Sequence, residues 1–243
     1  MPELLLDPQL LLAFATLTAL ELVLGIDNII FIAILVERLP PAQRETARRL
    51  GLFLALFMRI ALLMGLSWVV GLTAPLFTLG GVGYSGRMLI LAGGGLFLLW
   101  KSGGEIRTLL AGEPERAATA TGGGPRFSTA ILQIMLIDLV FSLDSIITAV
   151  GMVDQVPVMI AAVVVSVLLM MAFAGGIGRF VAKHPTIKML ALAFLLVVGA
   201  VLVVEGAGYA VPKGYVYSAL AFALLVELAN LRLRHNARGR LAG

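Results

Sequence analysis

The chain has 243 residues, of which 60% are hydrophobic and 13% are charged, and its mean hydropathy is +1.03. Soluble domains carry about 25% charged residues, so this composition excludes an ordinary soluble domain and predicts several membrane spans. A net charge of +4 would suit a nucleic-acid partner, but the basic residues fall between the apolar runs, and this distribution argues against one.

Seven apolar runs are long enough to cross about 30 Å of hydrocarbon as helices. The first run is unusually long, so it must tilt or break, and Gly25 is the natural place for a break. The third run spans a membrane only if it extends beyond its apolar core, Leu89–Trp100. We therefore predict an all-α membrane protein with seven transmembrane helices in a single domain over 1–243. The runs lie at 10–36, 50–73, 87–100, 129–152, 157–181, 187–205 and 214–231.

The basic residues are distributed unevenly between the segments that connect these runs. The first, third and fifth connections and the C-terminal tail contain fifteen Lys and Arg residues, and the alternate segments contain two. Positively charged connections stay in the cytoplasm, so we predict an external N-terminus and a cytoplasmic C-terminus. No basic segment precedes the first run, so we expect it to remain as a span and not to act as a cleavable signal.

One acidic motif occurs twice, as Glu21-Leu-Val-Leu-Gly-Ile-Asp-Asn and as Asp138-Leu-Val-Phe-Ser-Leu-Asp-Ser. A second pair of similar segments begins at Arg87 and at Lys188, where the third and sixth runs start. The repeat unit therefore contains three spans. Because three is odd, the copies cross the membrane in opposite directions, as in the inverted repeats of many secondary transporters. We predict repeat one at about 10–100, a cytoplasmic linker at about 101–127, repeat two at about 128–205 and an extra helix at about 214–231.

The oxygen-bearing residues of each motif fall within one third of a helix circumference. A buried carboxylate costs roughly 2.5–3.5 kcal/mol at the membrane centre, and a bound cation, a proton or a water-filled path offsets that cost. Oxygen ligands prefer hard cations such as Mn²⁺, Mg²⁺ or Ca²⁺, whereas zinc and copper favour the thiolate and imidazole ligands that the motifs lack. The predicted metal ligands are Glu21, Asp27, Asn28, Asp138, Ser142, Asp144 and Ser145.

The roles predicted for these ligands differ. Asp27 and Asp144 are the central ligands, and Glu21 and Asp138 add charge and carry protons. Burial and mutual repulsion favour protonation of some of the four acids, so the site suits the exchange of protons for a cation. Arg59, inside the second run, is an auxiliary candidate that would pair with a site acid.

Several other polar or small residues in the chain allow two interpretations. Glu227 and Asn230 share a face of the last run, so they either complete the site or make a helix–helix hydrogen bond. Glu105 is interpreted as a solvated charge of the linker. The glycine clusters at 93–95 and 175–176 lack a P-loop pattern and are predicted to be close-packing surfaces.

These features resemble the TerC family of integral membrane proteins, in its short bacterial branch without appended cytosolic domains. Beside the two motifs, the likeness includes Ala47-Arg-Arg-Leu-Gly-Leu, His184-Pro-Thr-Ile-Lys-Met-Leu-Ala-Leu and Val211-Pro-Lys-Gly-Tyr-Val-Tyr, and it covers almost the whole chain. The resemblance implies manganese export, with the motif acids as ion ligands. We therefore expect a multi-pass protein of the bacterial inner membrane that exports Mn²⁺, with Mg²⁺ and Ca²⁺ as alternative ions. Its expected partners are the ion, protons and the lipid bilayer, with no organic cofactor; a homo-oligomer is left open.

Three other functions are alternatives to manganese export. A membrane metal sensor or metallation partner would share the same cation site, so the sequence separates it poorly from a transporter. An intramembrane aspartyl protease usually has Tyr-Asp and Gly-x-Gly-Asp contexts, which neither motif matches, so we expect no enzyme. A proton-coupled transporter of an organic solute is mildly disfavoured, because the sequence predicts no aromatic- and arginine-lined midplane.

Overall fold

A computed structural model describes residues 8–111, 127–150 and 155–241 of the chain, with the side chains of Asp27 and of residues 24, 26, 148–150, 213 and 234–241 outside that description. The described residues form eight helices and one two-stranded hairpin. The helices are α1 Pro8–Glu37, α2 Pro41–Met64, α3 Leu66–Gly71, α4 Gly86–Leu110, α5 Phe127–Val150, α6 Val156–Lys183, α7 Pro185–Gly206 and α8 Lys213–Leu241. The strands are β1 Pro75–Leu79 and β2 Val82–Ser85.

Over the described residues, each predicted apolar run lies almost entirely in helix. Within the described residues, five helices are long and apolar enough to cross a membrane: α1, the 127–147 part of α5, α6, α7 and the 214–233 part of α8. The second run is divided at Gly65 into α2 and α3. Helices α2 and α4 have comparable lengths of 24 and 25 residues but a less apolar or more charged composition. The chain is therefore an all-α membrane protein in its main body.

Of the two alternatives predicted for the first run, a tilt or a break at Gly25, the break does not occur. Helix α1 continues without interruption for 30 residues, which corresponds to about 45 Å. Gly25 faces the side chain of Met170 in α6 so closely that a Cβ atom at this position would overlap the sulfur. The glycine therefore permits a close approach of two helices, and it does not end one.

The predicted linker at 101–127 is wrong in its first part, because α4 continues to Leu110. Glu105 is not a solvated charge. It is 7% exposed, and its carboxylate accepts a hydrogen bond of 2.5 Å from Arg38, which follows α1 directly. This ion pair gives the last turns of α4 a partner and extends the helix beyond its apolar core. The rest of the predicted linker, 112–126, lies outside the described residues.

The hairpin between α3 and α4 was not predicted. Strands β1 and β2 are antiparallel, and the residues between them are Gly80 and Gly81, with φ of +58° and +82°. Glycine adopts such positive φ values without a steric cost, so the pair provides the tight turn. Most of the hairpin is exposed, and Ser85 at its end caps α4 by accepting a hydrogen bond from the amide of Met88.

The closest helix pairs each join one helix of the first half of the chain to one of the second half. Helix α4 packs along α7, α1 along α6, and α2 along α5. Gly95 of α4 and Gly199 of α7 bring two backbones into contact, since a Cβ on Gly95 would lie 2.6 Å from the Gly199 carbonyl oxygen. Helix α8 packs mainly on α7, and its apolar stretch has no buried residue.

Two ion pairs fix the end of α1 to neighbouring helices. Beside the Arg38–Glu105 pair, Glu37 accepts a hydrogen bond of 2.8 Å from the ammonium group of Lys188, near the start of α7. The C-terminal ends of α1 and α4 and the N-terminal end of α7 therefore lie at the same end of the bundle. Most of the predicted cytoplasmic connections meet there.

Candidate functional site

Arg59 of α2 lies between the first acids of the two motifs. Its guanidinium donates 2.7 Å and 3.2 Å hydrogen bonds to Asp138 of α5, and its Nη1 donates to Glu21 of α1. The three side chains are 5–8% exposed. One arginine thus holds three helices together and compensates one of the two negative charges that they bury.

Asp138 accepts hydrogen bonds from donors in both halves of the chain. Besides Arg59, the amide nitrogen of Asn28 and the hydroxyl of Ser142 each donate to it over 3.2 Å. A carboxylate has about four lone-pair sites, so these contacts use most of its accepting capacity. The side-chain oxygen of Asn28, Oδ1, is buried and has no hydrogen-bond partner among the described residues. It is therefore an acceptor that a donor or a cation would satisfy.

The second acid of the α5 motif has a different partner. Asp144 accepts a 2.7 Å hydrogen bond from Arg87, the second residue of α4. The Arg87 side chain is 29% exposed, against 5% for Arg59. Because the two arginines approach from different helices, the acids of the α5 motif are divided between an inner pair and a pair nearer to solvent.

A cavity of about 490 Å³ lies against both motifs. Asn28, Arg59, Asp144 and Ser145 supply charged and polar groups to its wall, and Tyr217 of α8 supplies a phenol. The rest of the wall is apolar, formed by Ala19, Leu20, Val23, Phe141, Val198, Val201, Leu202 and Val216. Oxygen ligands and fixed charge are therefore concentrated on one side of a chamber that is otherwise apolar.

Comparison with known proteins gives one matching family. The profile described as "Integral membrane protein TerC family" matches residues 6–241 of the chain. The chain belongs to the TerC family. No solved structure matches it.

Relatives within the TerC family share about half of their residues with the chain. The inner membrane protein YgdQ of Escherichia coli K12 is 53% identical over 225 residues, which cover 93% of this chain and 94% of YgdQ. A Haemophilus influenzae protein is 51% identical over 228 residues, covering 94% and 96% of the two chains. The inner membrane protein YoaE of E. coli K12 is 47% identical over 234 residues, but these are only 45% of YoaE. The chain therefore matches proteins of its own length over nearly all of their length.

The structure brings together fewer bare carboxylates than the TerC motifs led us to expect. Glu21, Asn28, Asp138 and Ser142 meet around Arg59, while Asp144 is held by Arg87. No group of three acids or histidines suited to a metal forms among the residues described. The physical reason is that buried carboxylates need compensating charge, and two arginines supply it. The side chain of the predicted ligand Asp27 lies outside the described residues.

The structure does not bring Glu227 and Asn230 to the cavity. Asn230 is exposed on α8, and neither residue belongs to the cavity wall. One carboxylate oxygen of Glu227 is buried without a hydrogen-bond partner within the described part of the chain. The α8 residues that do reach the cavity are Val216 and Tyr217, near the opposite end of the helix.

Two residues of the site escaped the sequence analysis. Arg87 was noted as the start of a repeated segment and as a charge in a predicted external connection, but not as a site residue, and Tyr217 was noted only as part of a matching stretch. The single local signal for Arg87 is its place in the repeat, where Lys188 is its counterpart. Nothing in the sequence near Tyr217 predicts that α8 borders the motifs.

Proposed function

We propose that the chain exports a divalent cation, Mn²⁺ first, across the bacterial inner membrane by alternating access, in exchange for protons. The observation that carries this proposal is the cavity at the two motifs. The same chamber meets Asn28 of one motif and Asp144 and Ser145 of the other, with an unsatisfied Asn28 oxygen beside it. A chamber of this kind offers both room for an ion and ligands from two halves that can move relative to each other.

The charge of the site supports a divalent ion. The two motifs contain four acids, counting Asp27 from the sequence, and Arg59 and Arg87 pair with three of them. By formal charge, the four acids therefore exceed the two arginines by two negative charges. One divalent cation neutralises them, and so do two protons. The site is thus suited to an exchange of one divalent ion for two protons.

The ligand chemistry supports a hard cation. The groups available at the cavity are carboxylate, amide, hydroxyl and phenol oxygens, which Mn²⁺, Mg²⁺ and Ca²⁺ accept. The chain has no cysteine, and His184 lies between α6 and α7 with its ring nitrogen bonded to the Phe180 carbonyl oxygen. Zinc and copper are therefore weaker candidates, and Mg²⁺ or Ca²⁺ are the alternatives to Mn²⁺.

For the architecture, we propose seven spans, as an inverted repeat of three plus three helices followed by α8. Support comes from the packing of each half of the chain on the other and from the equivalent places of Glu21 and Asp138 around one arginine. The distribution of Lys and Arg supports an external N-terminus and a cytoplasmic C-terminus. The names of YgdQ and YoaE, which call them inner membrane proteins, support the same membrane for this chain.

The proposal is tested by Mn²⁺ uptake into proteoliposomes whose lumen is more acidic than the medium, so that protons leave as Mn²⁺ enters. Asp144→Asn and Asp27→Asn remove one charge each at constant shape and should reduce the flux at least about tenfold, the effect of losing roughly 1.4 kcal/mol of ion stabilisation. Glu45→Gln is the matched control, because Glu45 is an exposed acid outside the cavity. Wild-type flux in both Asn variants would contradict the assignment of the ligands.

A membrane metal sensor is the second candidate. Its support is that the described site acids are already paired with arginines, so ion binding would rearrange ion pairs and change the shape of the bundle without transport. Mn²⁺ binding by the purified wild type, together with zero flux in the same proteoliposomes, would favour the sensor over the exporter.

A further inference from the structure

Arg87 and Glu205 lie on adjoining turns of α4 and α7, where these two helices pack. Gly206, next to Glu205, packs so closely on α4 that a Cβ on it would lie 2.7 Å from the Met88 carbonyl oxygen. Met88 is next to Arg87. Arg87 and Glu205 carry opposite charges on these adjoining turns. Glu205 is therefore a second acid within reach of the arginine that holds Asp144.

Each of these two residues has an unused hydrogen-bonding atom. Arg87 Nε is buried and has no acceptor among the described residues, although Nη2 donates to Asp144. Glu205 Oε2 is buried and has no donor within the same part of the chain. A buried donor and a buried acceptor without partners are costly, and a bond between the two groups would satisfy both. Glu205 is thus a second acceptor that the local geometry offers to Arg87 beside Asp144.

Arg59 has no such alternative. Its side chain is 5% exposed and its nitrogens already bond to Glu21 and Asp138. Arg87 is 29% exposed, bonds to one cavity acid and starts a helix beside the hairpin. Of the two arginines at the site, Arg87 is therefore the one that can leave its carboxylate.

We propose that Arg87 is a tethered competitor for the substrate cation, holding Asp144 when no ion is bound and transferring to Glu205 when a divalent cation takes Asp144. This proposal rests on the proposed function, since it assigns regulation of the same cation site. Glu205 is a positioning residue in this scheme. It acts on the ion only through Arg87, and the transfer keeps the buried guanidinium paired in both states.

A double-mutant cycle tests the proposal through Mn²⁺ titration of the purified protein in detergent by calorimetry. Glu205→Gln removes the negative charge of the second acceptor, so it should weaken Mn²⁺ binding about tenfold, the scale of one charge-assisted hydrogen bond. Arg87→Gln removes the competitor and should tighten binding. In the Arg87→Gln background, the Glu205→Gln change should alter the affinity less than about twofold, because no guanidinium remains to be relocated.

Each outcome of the cycle has a distinct meaning. An equal loss of affinity from Glu205→Gln in both backgrounds indicates a direct effect of charge on the ion and overturns the proposal, as does no loss in the wild-type background. A wild type that binds neither Mn²⁺, Mg²⁺ nor Ca²⁺ overturns the proposed function itself. Glu45→Gln serves as the control for a change of acid to amide outside the cavity. Melting temperatures of all variants identify loss of folding, and Arg87→Met replaces Arg87→Gln if the latter does not fold.

Discussion

At the scale of single residues, Arg59 has the strongest structural role in the site. Its guanidinium is nearly fully buried and bonds to Glu21 and Asp138, which come from different halves of the chain. A buried ion pair gains little over an apolar pair of the same shape, but removing one partner leaves uncompensated charge. The site therefore depends on Arg59 being present more than on the strength of any one contact.

Arg59→Gln should lower the stability of the folded protein by about 3–5 kcal/mol, the usual cost of leaving a buried charge without its partner. Thermal unfolding in detergent measures this effect. Arg49→Gln is the matched control, because Arg49 pairs with Glu45 on a surface where its side chain is 72% exposed. Such an exposed pair contributes at most about 1 kcal/mol. Equal melting temperatures for the two variants would refute the role of Arg59.

At the scale of single residues, the repeated motifs predicted one meeting of side chains, whereas a contact that depends on helix packing could not be predicted. Glu21 and Asp138 were predicted to lie together because their motifs repeat, and the structure places both on one arginine. The pairing of Arg87 with Asp144 could not be predicted, because 57 residues separate them and the packing of α4 decides whether they meet. Asp27, the repeat counterpart of Asp144, stays a prediction.

At the scale of helices, the contact between α4 and α7 depends on glycine at particular places. Gly95 and Gly199 approach through their backbones, whereas a Cβ on Gly93 of the same helix would meet no atom within 4 Å. The predicted close-packing surface at 93–95 is therefore correct for Gly94 and Gly95 only; the Cβ of an alanine at 94 would overlap Val140. At 175–176, Gly175 packs on Arg48 while Gly176 faces open space.

Gly95→Ala should destabilise the protein by about 1–3 kcal/mol, because the added methyl group would lie 2.6 Å from a carbonyl oxygen and 2.8 Å from a backbone nitrogen of α7. Neither backbone atom can rotate away as a side chain would. Gly93→Ala is the control, and it should be neutral or stabilising by up to about 1 kcal/mol, since alanine favours the helix. Thermal unfolding of both variants measures the difference, and similar losses would show that the helices can separate without cost.

The elements differ in how well sequence predicts them. Long apolar runs located every membrane-length helix, because burial in lipid demands both length and apolar composition. The end of α4 was missed, since the polar residues of its last turns are stabilised by a distant partner, Arg38. The hairpin had a local signal in Gly80-Gly81 between two short apolar segments, but a search for membrane spans passes over strands of five and four residues.

At the scale of the whole molecule, two ion pairs bring several helix ends that carry basic residues to the same end of the bundle. The contacts of Glu37 with Lys188 and of Arg38 with Glu105 bring the predicted cytoplasmic ends of α1, α4 and α7 together. The hairpin lies at the other end, since it precedes α4. The bundle and the distribution of charge are therefore consistent with one orientation.

This orientation predicts where a membrane-impermeant maleimide reacts in intact cells with a permeable outer membrane. The chain has no cysteine, so single cysteines can be introduced without a background. Thr78→Cys in the hairpin should be labelled from outside, and Gln43→Cys near the start of α2 only after the inner membrane is permeabilised; both side chains are exposed. The reverse pattern of labelling would invert the topology and the direction of transport assigned here.

The charge count predicts that transport by the wild type is electroneutral. By formal charge, the four motif acids exceed Arg59 and Arg87 by two negative charges, so under the proposed function each cycle should carry one divalent ion in one direction and two protons in the other. Mn²⁺ flux driven by a pH gradient should then be the same whether the membrane potential is zero or about 100 mV, although each uncompensated charge moved would be worth roughly 2.3 kcal/mol.

Liposomes without protein and with the same potassium–valinomycin clamp provide the control. Asp144→Asn leaves one negative charge, so any residual flux in this variant should depend on the potential. A wild-type flux that changes with the clamp would contradict the exchange of one divalent ion for two protons.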